Sequence, residues 1–270
     1  MIEREILLSM NGIEKKFGDV QVLKKVDMEV ARGEVHALMG ENGAGKSTLI
    51  KILTGVYPKD GGSITFAGKT CEINSRSDAQ KLGIGVIYQE LSLIPTLSVM
   101  QNVMLGKEKS GCGLLKIREM KKKVSDLIQY YDFNLQPDAI VETLSIAQRQ
   151  TVEILKALSE DSSLIIMDEP TSAITDSEVD ELFRVIGQLR DQGRTIIYIS
   201  HKMDEIFRIA DDIIVLRDGR FICQKPAKEL TEEELISAMV GRTVGDIYPR
   251  GDARPGEVFL EVKNASRRNK

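Results

Sequence analysis

The chain has 270 residues, of which 42% are hydrophobic and 29% charged, and 37 Lys and Arg against 41 Asp and Glu give a formal net charge of −4. These are ordinary values for a soluble globular protein, whereas a dedicated nucleic-acid binder would have a surplus of basic residues. No apolar run approaches the roughly 18 residues that span a bilayer, and residues 1–5 are acidic where a secretory leader would be basic and then apolar. We therefore expect a chain that neither spans a membrane nor is exported.

The cysteines also predict a protein that is not exported. Cys71, Cys112 and Cys223 lie far apart and form no Cys-x-x-Cys pair. The sequence thus predicts neither a disulfide framework nor a cysteine-rich zinc site, and a reducing cytosol is the expected environment.

The first elements along the chain are short strands. Residues 5–30 and 62–74 consist of short runs separated by turn residues such as Gly18, Asp19 and Gly68. This pattern predicts a small antiparallel β lobe.

A glycine-rich loop follows. Residues 40–47 fit the pattern G-x-x-x-x-G-K-[ST], between a predicted buried strand at Val35–Met39 and a predicted helix at residues 48–53. The glycines let the backbone wrap an anion, and the helix N-terminus offers unpaired N–H groups. Lys46 is expected to reach the β- and γ-phosphates of a nucleotide and the Ser47 hydroxyl to ligate magnesium. A turn with an exposed lysine is the alternative, but the strand and helix on either side favour a nucleotide site. The predicted binding residues are Gly40, Glu41, Asn42, Gly43, Ala44, Gly45, Lys46, Ser47 and Thr48.

From about residue 91 to 158 the pattern is helical. Ser145 stands where an N-cap would open the helix that contains Val152, Leu155 and Leu158. Its hydroxyl and the N–H groups after it would form an anion site without a phosphate of its own. Taken alone, this segment is better interpreted as an ordinary capped helix.

The next unit predicts a parallel sheet. Residues 164–167 and Thr195–Ile199 are apolar runs of the length of buried strands. Between them lies an amphipathic helix with a capping box at Thr175-x-x-Glu178 and a stop at Gly193. Strand, helix and strand should form a right-handed βαβ crossover, as in α/β folds.

Two carboxylates follow the first of these strands. Asp168 and Glu169 stand at the carboxyl edge, where open α/β sheets bind ligands. We expect Asp168 to hold magnesium through water or the Ser47 hydroxyl, and Glu169 to polarise the attacking water as general base. The alternative is an acidic turn that caps a helix, since Pro170, Thr171 and Ser172 come next.

The chain has two histidines, and we assign a catalytic role to one of them. His201 ends the next strand at the same edge, beside Glu169, so a neutral imidazole there would hydrogen-bond the γ-phosphate and the attacking water. Without that neighbour it would be a capped strand end. His36, inside the strand before the glycine loop, is predicted to be a core or edge residue.

Six segments taken in order resemble the Walker A, Q-loop, signature, Walker B, D-loop and H-loop motifs of an ABC transporter ATPase: residues 40–47, Gln89, residues 144–148, residues 164–170, residues 172–176 and His201. The resemblance covers roughly residues 5–245. It implies an α/β P-loop NTPase (RecA-like) with a parallel sheet core, an antiparallel β lobe and an inserted helical lobe at about 91–158, all within an ATPase domain at 1–245. It also implies a head-to-tail pair, with each ATP held between one phosphate loop and the other copy's signature motif.

The family resemblance assigns further roles. Gln89 would ligate magnesium and the attacking water, and so joins Glu169, His201 and Lys46 as a catalytic residue. Phe17 resembles the aromatic residue that stacks on adenine, although a buried hydrophobic residue is the alternative. The implied cofactors are ATP and Mg²⁺, with Ser47, Gln89 and Asp168 as metal ligands and Ser145, Ala147 and Gln148 as contacts to the opposite nucleotide.

The signature departs from the family pattern, because Ile146 and Ala147 replace two glycines. A β-branched residue narrows the allowed backbone and adds bulk, so closure around the opposite ATP should be weaker. Such signatures resemble the first cassette of tandem ATPases that energise import of ribose, galactose, xylose and related monosaccharides. Residues 246–270 then look like a linker and the first strand of a second cassette, because residues 257–262 echo residues 5–10. The alternative is an edge strand that finishes this domain.

The leading hypothesis is therefore an ATPase that drives a sugar permease from the cytoplasmic face of the membrane, as a peripheral protein. Its partners would be a second cassette, the permease subunits through the helical lobe and, indirectly, an extracellular or periplasmic sugar-binding protein, with no nucleic acid. A soluble tandem ATPase acting on ribosomes or nucleic acid is the alternative. No heptad run supports it, and no basic block joins two halves, although Arg267, Arg268 and Lys270 leave that second point open. A P-loop kinase would leave the signature serine and His201 without a purpose.

Overall fold

The computed structural model describes residues 4–88, 92–108, 110–111, 114–160, 162–172, 175–241 and residue 263. Gln89, Cys112, the D-loop residues 173–174 and the expected strand at 257–262 lie outside the described residues.

The first sheet is antiparallel and has the order β2-β1-β4-β5. Its strands are β1 (Ile6–Phe17), β2 (Val20–Ala31), β4 (Gly61–Phe66) and β5 (Lys69–Cys71). The predicted antiparallel lobe is confirmed, with longer first strands than the short runs indicated.

The second sheet has six strands in the order β12-β11-β3-β10-β9-β6. All neighbours pair in parallel except β12, which runs antiparallel to β11 at the edge. The strands are β3 (Val35–Met39), β6 (Ile84–Ile87), β9 (Leu164–Asp168), β10 (Thr195–Ile199), β11 (Asp212–Arg217) and β12 (Arg220–Pro226). The predicted strands at Val35–Met39 and Thr195–Ile199 are confirmed, and the carboxyl ends of the parallel strands meet at one edge.

Helices connect and cover the strands. Within the described ranges they are α1 (Lys46–Leu53), α2 (Arg76–Lys81), α3 (Val99–Met104), α4 (Ile117–Tyr130), α5 (Ile146–Leu158), α6 (Asp176–Asp191), α7 (Met203–Ile209) and α8 (Glu232–Val240). Helices α3, α4 and α5 contact one another as a helical lobe. None of the helices in this described part is both long and apolar enough to cross a membrane.

The helical lobe also contains a small hairpin that the sequence pattern missed. Strands β7 (Ser110–Gly111) and β8 (Leu114–Leu115) pair antiparallel between α3 and α4. Strands of two residues are too short to show an alternation of polar and apolar side chains, so the segment was predicted as helical throughout.

Capping residues define where several helices begin. The predicted box between Thr175 and Glu178 opens α6, because Thr175 N–H donates to Glu178 Oε2 at 2.8 Å. Comparable boxes open α3, α5 and α8 at Ser98, Ser145 and Thr231.

The parallel sheet separates two apolar cores. Strand β10 is buried on both faces, so Ile196 and Tyr198 pack into the core on the side of α5 and α6. Ile197 and Ile199 pack on the other side, with α1 and the antiparallel lobe. The sheet is therefore a rigid base whose carboxyl edge holds the loops after β3, β9 and β10.

Candidate functional site

The glycine loop joins β3 to α1 through left-handed backbone. Gly40 has φ 149°, and a Cβ atom there would lie 2.2 Å from the Leu216 carbonyl oxygen. Gly45 is the N-cap of α1 at φ 104°, and its Cβ would lie 2.7 Å from Leu23 Cδ2. Only glycine fits both places, so the loop packs tightly against β11 and β2 while its N–H groups stay at the helix N-terminus.

Lys46 folds back over this loop. Its Nζ donates to the carbonyl oxygens of Gly40 at 2.6 Å and Glu41 at 3.1 Å. Burial lowers the pKa of Lys46, and the nearby carboxylates of Glu169 and Asp168 oppose that shift. The ammonium group thus lies between backbone oxygens and two acids, where a phosphate anion could exchange with the carbonyl groups.

One cavity of about 270 Å³ brings the loop and the acids together. Its lining comes from β2, the glycine loop with the start of α1, and the ends of β9 and β10: Val22, Asn42, Gly43, Ala44, Gly45, Lys46, Ser47, Thr48, Asp168, Glu169 and Ile199. Gly40 and Glu41 are outside this lining. Their carbonyl oxygens contact it only by accepting hydrogen bonds from Lys46.

The two carboxylates differ in environment. Burial raises the pKa of Asp168, the negative charge of Glu169 raises it further, and Lys46 opposes both effects. Glu169 has left-handed backbone at φ 47°, and its N–H donates to the Ile199 carbonyl at 2.9 Å. A non-glycine residue in this region costs about 1–2 kcal/mol, so surrounding contacts must hold the carboxylate where it stands.

The two histidines have opposite surroundings. His201 Nδ1 lies 3.3 Å from Glu169 Oε1, and the His201 side chain is 67% exposed. His36 is buried, and its Nε2 accepts a hydrogen bond from Ala31 N–H at 2.9 Å. Burial lowers the pKa of His36. The prediction that His36 belongs to the core is thus confirmed.

A buried carboxylate beside this edge was missed by sequence reasoning. Glu205 on α7 accepts hydrogen bonds from Thr171, Tyr198 and Ser200, and its other oxygen pairs with Lys202. Glu205 follows another acid, Asp204, and nothing in that local pattern distinguishes it from a solvent-exposed helix residue.

Ser145 is the N-cap of α5, as predicted. Its Oγ accepts from Gln148 N–H at 3.2 Å, and its own N–H donates to Gln148 Oε1 at 3.1 Å. Ile146 and Ala147 are outside the left-handed backbone region and begin an ordinary helix, so the expected backbone restriction leaves no distortion here. The bulk remains, because Ile146 is 56% exposed.

Arg149 fixes the turn before this serine. Its Nε donates to the carbonyl oxygens of Val141 and Leu144, both at 3.1 Å, and its Nη2 donates to the backbone carbonyl oxygen of Glu142 at 2.8 Å. Ser145, Ala147 and Gln148 line a separate groove of about 370 Å³. The signature segment therefore does not meet the glycine loop within one chain.

Phe17 ends β1 and is 40% exposed. Its ring meets that of Tyr57 edge to face with centroids 5.1 Å apart, and Lys15 Nζ lies 5.4 Å from the Phe17 centroid. It is outside the cavity lining. An exposed ring supported from one side can receive a planar base on the other.

Magnesium suits the oxygen atoms available. The Ser47 hydroxyl and the Asp168 carboxylate line the same cavity, and hard oxygen ligands are those that Mg²⁺ prefers. In the described ranges no group of three or more His, Cys, Asp or Glu side chains could hold a metal. Proteins commonly bind Mg²⁺ through one or two carboxylates together with phosphate oxygens.

Comparison with known proteins places this geometry in context. The family model described as ABC transporter matches residues 23–172. The chain is 47% identical to the ribose import ATP-binding protein of Chromobacterium violaceum over 97% of this chain and 52% of that protein. It is 46% identical to the galactose/methyl galactoside import ATP-binding protein of Clostridium tetani over 100% of this chain and 54% of that protein. The chain thus spans about half the length of these relatives.

Solved structures with a similar fold are also cassettes of ABC transporters. An ATP-binding cassette of an ABC transporter in its ADP conformation is similar at a TM-score of 0.76 and 26% identity, over 90% of this chain and 98% of that one. A nucleotide-free cassette is similar at a TM-score of 0.75 and 25% identity, over 88% and 96%. The α/β nucleotide-binding fold is therefore confirmed.

Proposed function

Because the chain belongs to the ABC transporter family, we propose that it binds and hydrolyses ATP to energise import of a monosaccharide. The observation that supports this most is the single cavity lined by the glycine loop, Lys46 and the carboxylates of Asp168 and Glu169. This set combines an anion cradle with an acid at the place where water would attack.

The proposed chemistry assigns a task to each group. The loop N–H groups, the α1 N-terminus and Lys46 bind the β- and γ-phosphates and stabilise charge on the transferred phosphoryl group. Glu169 accepts the proton of the attacking water, and His201 orients that water and the γ-phosphate from beside it. Ser47 and Asp168 would hold Mg²⁺, which would offset phosphate charge when bound. Gln89 is proposed as a further ligand of the metal and the water.

Two further sets of residues are proposed to contact the adenine base and a second nucleotide. Phe17 is proposed to stack on the base, since its exposed ring is already supported by Tyr57. Ser145, Ala147 and Gln148 are proposed to contact ATP held by another cassette, because their groove is separate from the glycine loop. The exposed Ile146 would add bulk to that contact and weaken closure.

The relatives support the wider arrangement. Both sequence relatives are named as sugar import proteins and are about twice as long as the aligned region. We therefore propose an ATPase domain at 1–245, a linker and first strand of a second cassette at 246–270, and a sugar permease as the membrane partner, contacted through the helical lobe at about 91–158. A separate sugar-binding protein would act indirectly, and the cassette would lie peripherally on the cytoplasmic face.

The decisive experiment uses the natural polypeptide that contains this chain, isolated from its own cells. We expect it to copurify with a membrane protein and its ATPase rate to respond to one or more monosaccharides, while the Glu169→Gln form copurifies equally but hardly turns over. Copurification with ribosomes or nucleic acid, without a response to sugar, would overturn the import proposal in favour of a soluble ATPase.

A further inference from the structure

Glu205 is a charged group in the interior of the protein. The residue is 2% exposed, on a helix whose next residue, Ile206, is fully buried. A carboxylate removed from water is costly unless hydrogen bonds compensate it. Its environment must therefore supply strong donors.

Four donors converge on this carboxylate. Oε2 accepts from Thr171 Oγ1 at 2.8 Å, Tyr198 OH at 2.9 Å and Ser200 Oγ at 3.0 Å. Lys202 Nζ lies 3.0 Å from Oε1. Burial acts to raise the pKa of Glu205, but these donors outweigh burial and hold the pKa below its ordinary value.

Tyr198 lies within β10, and two other donors come from the loops that present the candidate catalytic pair. Thr171 lies two residues after Glu169, in the segment that follows β9. Ser200 directly precedes His201, at the end of β10. A single carboxylate therefore joins both loops.

The same loops are joined at two further places. Glu169 N–H donates to the Ile199 carbonyl at 2.9 Å, and Lys202 Nζ donates to the Thr171 carbonyl at 3.4 Å. Glu169 itself has unfavourable left-handed backbone. Contacts that fix its loop are therefore needed to keep its side chain beside His201.

We propose that Glu205 is a positioning residue that sets the separation of Glu169 and His201 by binding Thr171 and Ser200 together. The inference rests on the proposed ATP hydrolysis, in which those two side chains act on one water molecule. Glu205 is outside the lining of the cavity that contains Glu169, so it would act through the two loops and not on the reacting atoms.

The first test measures ATP hydrolysis and ATP binding separately. Glu205→Gln replaces the charged acceptor by a neutral amide of the same size, and we expect kcat to fall about tenfold to a hundredfold, the effect of a small misplacement. The Kd for ATP should change little, because Glu205 is outside the cavity lining. Asp204→Asn, which removes a charge from an exposed neighbour on α7, is the matched control and should keep the wild-type kcat.

A second pair of variants guards against misfolding of Glu205→Gln. Thr171→Val keeps the side-chain shape but removes the hydroxyl, and should lower kcat like Glu205→Gln. Thr171→Ser keeps the hydroxyl and should restore most of the rate. If Thr171 had a merely structural role, Thr171→Val and Thr171→Ser would both lose stability, and their kcat values would not differ in this way.

A spectroscopic readout does not depend on turnover. The chain has only two histidines, so its imidazole Hε1 NMR signals are two, assignable with His36→Gln. In the nucleotide-free chain, Glu205→Gln and Thr171→Val should move or broaden the His201 signal and leave the His36 signal in place. Asp204→Asn should move neither.

The outcomes separate the two proposals. If wild-type protein neither binds nor hydrolyses ATP, the proposed function is wrong, while the NMR signals still judge the role of Glu205. An unmoved His201 signal in folded Glu205→Gln, or a normal kcat in that variant, overturns the positioning role and leaves ATP hydrolysis intact.

Discussion

The Nδ1 atom of His201 lies 3.3 Å from Oε1 of Glu169, across the ends of the neighbouring strands β9 and β10. A neutral imidazole has one N–H group. If that hydrogen is on Nδ1 and bonds Glu169, Nε2 can only accept. Donation from Nε2 to a phosphate therefore requires the hydrogen to move to Nε2 or the ring to gain a second proton.

Replacing Glu169 by Gln should separate binding from hydrolysis. The amide keeps the size of the side chain but cannot take a proton from water, so kcat should fall by about a hundredfold or more. The Kd for ATP should stay near the wild-type value. Phosphate release and ATP binding are measured together, with Glu233→Gln, an exposed residue in the first turn of α8, as control. Normal turnover in Glu169→Gln would contradict the assignment of Glu169 as the general base.

Lys46→Ala should lose ATP affinity. The variant removes a charge-assisted donor to phosphate, worth about 1.5–3 kcal/mol, or about tenfold to a hundredfold in Kd. Calorimetric titration with ATP measures the change. Lys81→Ala removes an equal charge from a lysine side chain that is 75% exposed and should bind normally. Equal affinities for Lys46→Ala and Lys81→Ala would contradict the proposed role.

The role of Phe17 can be tested by comparing two ligands. Loss of stacking costs about 1–3 kcal/mol, so Phe17→Ala should weaken ATP binding about fivefold or more. Affinity for inorganic triphosphate, which has no base, should not change. Phe17→Tyr keeps a ring and should behave as wild type. If triphosphate binding weakens as much as ATP binding, Phe17 instead supports the lobe.

Alanine substitutions at two glycines of the loop should lower the unfolding free energy by different amounts. Gly40→Ala places a Cβ 2.2 Å from the Leu216 carbonyl oxygen, so the backbone must shift, and we expect a loss of at least about 2 kcal/mol in unfolding free energy. Gly43→Ala meets open space but has φ 85°, which costs about 1–2 kcal/mol. Urea unfolding of both variants measures the difference. A Gly40→Ala protein as stable as Gly43→Ala would show that β11 yields to the loop.

His36 should make the fold sensitive to acid. Burial lowers its pKa below the ordinary 6.5, so below that pH the unfolded chain binds a proton that the folded chain resists. The unfolding free energy should therefore fall as pH drops from about 7.5 to 5.5, by up to about 1.4 kcal/mol per unit. Asp212 and Asp211 oppose the shift and Arg4 reinforces it.

His36→Gln isolates that contribution. Its amide oxygen can accept the Ala31 N–H but cannot titrate, so the difference from wild type should shrink as pH falls. Between about pH 7.5 and 8.5 both proteins should show the same slope, since His36 is then neutral in both states. Parallel curves over the whole range would assign the acid sensitivity to other groups.

The sequence predicts the parts of this fold whose signals are local. The two apolar runs on either side of α6, its capping box and the glycine loop each depend on residues within a few positions of one another. The hairpin at β7 and β8 is too short to produce a pattern. Glu205 could not be predicted, because its burial depends on where α7 packs against Thr171, which is 34 positions earlier in the chain.

Ser145 can cap α5 and donate a hydrogen bond at the same time. Its Oγ accepts the Gln148 N–H with a lone pair, and a hydroxyl group also has one hydrogen to donate. A phosphate held by the proposed second cassette could accept a hydrogen bond from that hydroxyl while the cap stays closed. In the proposed pairing, the first turn of α5 would therefore keep the same structure before and after docking, and two cassettes could engage and release without refolding this surface in each cycle.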